Sequence, residues 1–192
     1  MSLYQGPLRT VLDEIAGPSP APGAGAVSGV VTAMAAGLIA SAARRSTDWE
    51  DARGVAAQAQ ALRSRVEKLA EANEEAYLEA LALIEGADEL GGRDAAIGKA
   101  LDTAAELPLS IAECAYDVAL LGAEAAEHAA PGGAEDAAAA ALLAEAAARA
   151  AAGLVAANLV SVPGDERVEH AQRLAAAATD AARRAVAASA ER

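Results

Sequence analysis

Residues 18–45 read PSPAPGAGAVSGVVTAMAAGLIASAARR, and this stretch decides the fold that we predict. It opens as a loop of proline and glycine and continues without a charged residue as far as Ala43. A helix side without bulk lets another backbone approach closely, either from the same chain or from a second copy. We therefore predict a helix over 24–45. Its small residues recur at every fourth position and share one side (Gly25, Gly29, Ala33, Gly37 and Ser41).

The loop before this helix suggests a binding site as well as an interface. The first N–H groups of a helix have no acceptor within it, and a glycine-rich loop leaves them open to an anionic or polar ligand. The uncharged run is also long enough to span a membrane. Because it combines a Pro/Gly loop with Ala and Gly rather than Leu and Ile, we predict a helix buried in protein and no membrane partner.

Composition predicts an all-α protein. The chain has 192 residues, of which 54% are hydrophobic and 2% aromatic, with no Phe. Strand-forming residues are sparse, whereas Ala, Leu, Glu and Arg are abundant. The length suits one domain over residues 1–192, with a core built from Ala, Leu and Val.

Periodicity and breakers predict about six helices in an up-and-down bundle. Thr47 or Asp48 can cap the third helix, and Pro108 either kinks the fourth or starts a new one. Helices 24–45 and 135–160 are apolar nearly all round, which predicts two central helices wrapped by amphipathic ones. The predicted ranges are 3–16, 24–45, 49–85, 93–129, 135–160 and 165 to the C-terminus.

Charge and cysteine content narrow the class of protein. A net charge of −13 argues against nucleic acid and anionic membranes as partners. Cys114 is the single cysteine, so no intramolecular disulfide can form. This agrees with a reducing compartment, and we see no basic segment that would open a signal peptide. We expect a cytoplasmic protein.

Few residues stand in patterns that carry chemistry. His128 and His170 belong to no spaced ligand motif, so we expect no metal. Asp136 lies in the first turn of a predicted helix, where it stabilises the helix dipole or serves as a general acid or base. Asn158, in a buried helix, bonds to the backbone or faces a ligand. Arg44 and Arg45 are solvated helix-end charges or a clamp for a ligand carboxylate.

Four segments together resemble the cyclodeaminase/cyclohydrolase family, which includes the cyclodeaminase part of formiminotransferase-cyclodeaminase and a methenyltetrahydrofolate cyclohydrolase. Single motifs are weak, but these follow the family's order and cover nearly the whole chain. The segments are PAPGAGAVSGVVTAMAAGLIAS, NEEAYLEALALI, RDAAIGKALDTAAELPLSIAECA and EDAAAAALLAEAAARAAAGLVAANLVSV.

The resemblance implies a helical dimer that acts on a tetrahydrofolate derivative and holds no tightly bound cofactor. The reaction would be loss of ammonia from 5-formiminotetrahydrofolate or hydrolysis of 5,10-methenyltetrahydrofolate. Both reactions need proton transfer at a carbon–nitrogen centre, which a carboxylate can supply. Asp136 matches the helix-opening Asp of the family and is the predicted catalytic residue. Gly23 and Gly25 match the loop glycines that would hold the ligand, and Asn158 matches a late Asn.

Several positions depart from the family pattern. Ala24 and Ala26 stand where the pattern has glycine and serine, and Asn73 stands where it has an Asp. Glu135 replaces the serine before the helix-opening Asp. The alternative hypothesis is therefore a non-catalytic or substrate-diverged helical protein for binding or assembly that keeps the fold.

Overall fold

The computed structural model describes residue 4 and residues 6–85, 93–160 and 162–191. Six α-helices account for most of these residues, so the all-α bundle of about six helices is confirmed. The helices are α1 (Leu8–Ile15), α2 (Ala24–Arg45), α3 (Ala52–Glu85), α4 (Arg93–His128), α5 (Gly133–Asn158) and α6 (Glu166–Ala190).

Helix boundaries differ from the prediction at three N-termini. α1 begins after Pro7 rather than at residue 3, and residues 1–3 and 5 lie outside the described part of the chain. α3 begins at Ala52, so the expected capping by Thr47 or Asp48 was wrong. Two successive turns precede this helix, because Trp49 N–H donates to the Ser46 carbonyl and Ala52 N–H donates to the Trp49 carbonyl. α5 starts two residues early, at Gly133.

α2, α3, α4 and α5 form an antiparallel bundle, and α6 packs against α4 and α5. The two predicted central helices are apolar and largely buried. α4 is a third central helix, which the prediction missed, because it packs against α2, α3, α5 and α6. Pro108 lies inside α4 without starting a new helix.

The helices approach closely where glycine removes a side chain. A Cβ at Gly29 would lie 2.6 Å from Ala70 Cβ on α3, and one at Gly122 would lie 2.9 Å from Ala141 Cβ on α5. The first small residues of the predicted side of α2 therefore pack in the core. The last ones point outward, because residues four apart shift gradually around a helix of 3.6 residues per turn. Ser41 is exposed.

Asn158 explains how α4 accommodates Pro108. Proline has no N–H, so it cannot donate to the carbonyl of Ala104 one turn earlier. The side-chain Nδ2 of Asn158 donates to that carbonyl at 2.7 Å. The last turn of α5 thus supplies the hydrogen bond that Pro108 removes from α4.

Polar contacts join the helices at their ends. Ser46 Oγ, which is buried, donates to Ala42 and accepts from Ala130 N–H, both at 2.8 Å. Asp165 caps α6 by accepting from Arg167 N–H, and the Arg167 guanidinium also reaches Asp102 on α4 at 2.6 Å. These contacts connect the end of α2 to the α4–α5 loop and the start of α6 to α4.

Among the described residues, two helices, α2 and α5, are long and apolar enough to cross a membrane by length and composition. Both pack into the bundle, with 61% and 50% of their most apolar windows buried. The core helix of a soluble protein has the same character, so this property is weak evidence for a membrane span.

We expect Gly29→Ala to lower the free energy of unfolding by about 1–2 kcal/mol. Overpacking against Ala70 costs about 1–3 kcal/mol, and removal of a helical glycine returns up to about 1 kcal/mol. Gly54→Ala is the matched control, because its Cβ would meet no atom within 4 Å. It should raise stability by about 0.5–1 kcal/mol. Urea denaturation measures both, and equal effects of the two changes would contradict the close approach.

Candidate substrate pocket at the start of α2

A cavity of about 250 Å³ lies where the loop before α2 meets α3, α4 and α5. It combines apolar walls with a few polar groups, which is the usual character of a small-molecule site. Its lining consists of Pro20, Gly23, Ala24, Gly25, Asn73, Glu74, Tyr77, Ala104, Pro108, Leu154 and Asn158.

The N-terminus of α2 forms one wall of this cavity. Gly23 is the N-cap residue and makes no side-chain capping bond, so the first N–H groups of α2 have no acceptor within the helix. The loop before it contains a cis peptide bond between Ala21 and Pro22. Backbone donors and the positive end of the helix dipole thus border the cavity.

Asn73 on α3 lies directly over Gly25. A Cβ on Gly25 would come within 2.2 Å of Asn73 Nδ2, so the side-chain amide occupies the space that glycine leaves. Tyr77, one turn further along α3, also lines the cavity and is 43% exposed. The absence of a side chain at position 25 therefore brings the polar turn of α3 to the start of α2.

Glu74 is the one carboxylate among the described residues that line the cavity. Partial burial raises the pKa of this carboxyl above its usual range, and the negative charges of Glu14, Glu71 and Glu75 add to the rise, against an opposing effect of the positive chain N-terminus. A carboxyl group with a raised pKa can exchange protons nearer to neutral pH than an exposed one.

Asn158 lines the same cavity from the end of α5. Its Nδ2 group donates to the Ala104 carbonyl, so Asn158 bonds to the backbone, which was one of its two predicted roles. The same hydrogen bond holds the residue against the cavity wall. Gly23, Gly25 and Asn158 therefore line the same cavity.

Asp136 and Arg45 lie at the opposite end of the bundle. They form an ion pair with side chains 43% and 54% exposed. Asp136 and Asn158 are 22 residues apart on α5, which corresponds to about 33 Å at a rise of 1.5 Å per residue. Within one chain Asp136 does not line the cavity that Gly23 and Gly25 border, although the resemblance implied that it acts on a ligand held by those glycines. Arg44, at the same end, is exposed beside Arg53.

Three lining residues, Asn73, Glu74 and Tyr77, were not predicted from the sequence as residues that contact a ligand. All three belong to the segment NEEAYLEALALI, which carries part of the family resemblance. The departure at Asn73 was a usable signal, because a change at a patterned polar position points to a residue that contacts a site.

A larger, more open groove of about 620 Å³ lies between α3 and α4. Arg65 and Asp117 line it, and burial raises the pKa of Asp117. No residue predicted from the sequence as a site residue lies in this groove. Within the described ranges no group of three or more His, Cys, Asp or Glu residues could hold a metal ion.

Comparison with known proteins identifies the family of the chain. The fold is similar to the crystal structure of formiminotetrahydrofolate cyclodeaminase from Thermotoga maritima, with a TM-score of 0.84 and 23% sequence identity. The similarity covers 97% of this chain and 96% of that one. A search of curated proteins finds no match. The family model of formiminotransferase-cyclodeaminase matches residues 7–180. The chain therefore belongs to the formiminotransferase-cyclodeaminase family.

Proposed function

We propose that this protein is a folate-dependent one-carbon enzyme that binds its substrate in the cavity at the start of α2. The observation that carries the proposal is this cavity, which joins the glycine loop to a partly buried carboxylate in a chain of this family. The reaction would be hydrolysis of 5,10-methenyltetrahydrofolate or loss of ammonia from 5-formiminotetrahydrofolate.

The lining of the cavity suits the ring system of a reduced folate. The pyrimidinone part of this ring system is flat and has amide-like edges, which the Asn73 side chain and the N–H groups after Gly23 can meet. Pro108 and Leu154 provide apolar walls for the ring faces. A volume of about 250 Å³ holds part of such a molecule, so the glutamate tail would extend outside.

A second candidate function is binding without catalysis. The observation in its favour is Asn73, because an amide cannot transfer the proton that an aspartate at that position could. This candidate keeps the fold and the pocket and differs from the first in turnover. Assays of binding and of turnover therefore separate the two.

Folinic acid should raise the melting temperature of the protein. At 100 times its dissociation constant, a ligand adds about 2.7 kcal/mol of stability. Purified protein should also consume methenyl- or formiminotetrahydrofolate, followed by absorbance. Binding without turnover of either substrate would favour the second candidate, and absence of both would contradict the proposed function.

Gly25→Ala should weaken folinic acid binding at least tenfold and leave the protein folded. The added Cβ would displace the Asn73 side chain into the cavity, and a flexible side chain moves at little cost in stability. Isothermal titration calorimetry measures the affinity, and Gly54→Ala is the control for a helical glycine far from the pocket. Unchanged affinity in Gly25→Ala would place the ligand elsewhere.

We also propose that two copies pair through the outer face of α2. Met34, at the middle of α2, is 56% exposed, and Gly37 beside it would accept a Cβ without contact. The exposed positions of α2 carry no charge before Arg44. An apolar helix face on a chain with a net charge of −13 is a typical protein interface.

Charge favours an antiparallel pairing of the two α2 helices. Arg44 and Arg45 make one end of the helix positive, whereas Glu74 and its acidic neighbours lie at the other end. A twofold axis near Met34 would set the arginines of one copy beside the cavity of the other. There they could meet the carboxylates of a folate tail, and Asp136 would arrive with Arg45.

Met34→Glu should convert a dimer into a monomer of 19.0 kDa, because the twofold axis would bury two like charges against each other. Light scattering after size exclusion measures the mass. Met34→Leu keeps the apolar surface and should remain dimeric. Wild-type protein that is monomeric at micromolar concentration would contradict the pairing.

A further inference from the structure

We infer that Glu74 is the proton-transfer residue of this site, a role that rests on the proposed function. Glu74 would thus have the catalytic role that was predicted for Asp136. Among the described lining residues, Glu74 is the carboxylate that can reach a ligand between the glycine loop and α3.

Position favours Glu74 over the other carboxylates in the part of the chain that the structure describes. It lines the cavity from α3, next to Asn73, whose amide lies over Gly25 at the start of α2. Within its own chain Asp136 is exposed, paired with Arg45, and about 33 Å along α5 from the cavity end of that helix, so it could reach the cavity only from the second copy of the proposed dimer. Glu74 therefore needs no second copy to meet the substrate.

The surroundings of Glu74 suit a group that takes up and releases a proton. The carboxylates of Glu71 and Glu75 on its own helix and of Glu14 on α1 raise the pKa of Glu74, and the positive chain N-terminus lowers it, with burial as the largest cause of the net rise. α2, α4 and α5 contribute no charged side chain to the described lining. Burial and like charges both disfavour the ionised form, so the proton is held more tightly than on an exposed glutamate.

One carboxylate can serve either reaction by the same sequence of transfers. In the hydrolysis, water adds to the methenyl carbon and gives a proton to Glu74, which passes it to N5 as the C–N5 bond breaks. The products are 10-formyltetrahydrofolate and one proton. In the deamination, N10 attacks the carbon of the protonated formimino group and loses its own proton to Glu74. The departing nitrogen takes that proton and leaves as ammonia, which yields the methenyl cation.

Glu74→Gln tests the assignment, because it keeps the size of the side chain and removes the titratable group. Turnover should fall by about 100-fold or more, the usual range for loss of a general acid–base group. Folinic acid affinity should stay within about threefold of wild type, since the ring contacts of the cavity remain. Glu74→Asp, which retains a carboxyl group, should restore part of the turnover.

Glu75→Gln is the matched control on the same turn of α3, since Glu75 does not line the cavity. It should keep turnover near that of wild type. It should also move the rising limb of the pH profile of kcat/KM to lower pH, because Glu75 raises the pKa of Glu74. A merely structural Glu74 would leave that limb unmoved.

The possible outcomes distinguish the role of Glu74, the role of Asp136 and the proposed function itself. Near-normal turnover in Glu74→Gln would overturn the assignment, and a loss of turnover confined to Asp136→Asn would return the role to Asp136. Loss of folinic acid binding together with turnover in Glu74→Gln would make Glu74 a binding residue instead. Wild-type protein that binds without turnover would overturn the assignment, and wild-type protein without either property would overturn the proposed function as well.

Discussion

The close approach of α2 to α3 is the constraint on which the rest of the structure depends. At Gly29 the two helices leave no room for even one methyl group. One turn earlier, the same approach brings Asn73 over Gly25, and Glu74 follows on the cavity side. A core made largely of alanine achieves its packing density through such short distances between backbones, because its side chains fill little space themselves.

Polar contacts at the helix ends orient the bundle but do not hold it together. The Arg45–Asp136 pair is about half exposed, and an exposed ion pair contributes about 0–1 kcal/mol. The Asn158–Ala104 hydrogen bond is different in kind, because its loss would leave a carbonyl without a partner beside Pro108. The cavity wall is therefore anchored by a bond that the helix itself cannot supply.

Local patterns predicted the helices well and the site only in part. Periodicity and breakers placed α2 to its last residue, because apolar spacing and glycine reflect the fold directly. The start of α3 was missed because the turns at Ser46 and Trp49 depend on backbone bonds that leave no pattern in the sequence. The separation of Asp136 from Gly23 was predictable: in four antiparallel helices, the first and the fourth begin at opposite ends.

The neighbouring pair Asn73 and Glu74 shows why the chemistry of the site follows from the structure rather than from a motif. The family pattern has a carboxylate at position 73, and here the carboxylate stands one residue later, about 100° around α3. A comparison of position 73 alone with the family pattern would indicate that the acid is lost. In the folded chain both residues line one cavity, so under the proposed function the acid would be displaced within the site and not removed from it. Under the proposed function, the Asn73 amide would bind the ring edge while Glu74 transfers the proton, so the two tasks would be divided between neighbouring residues.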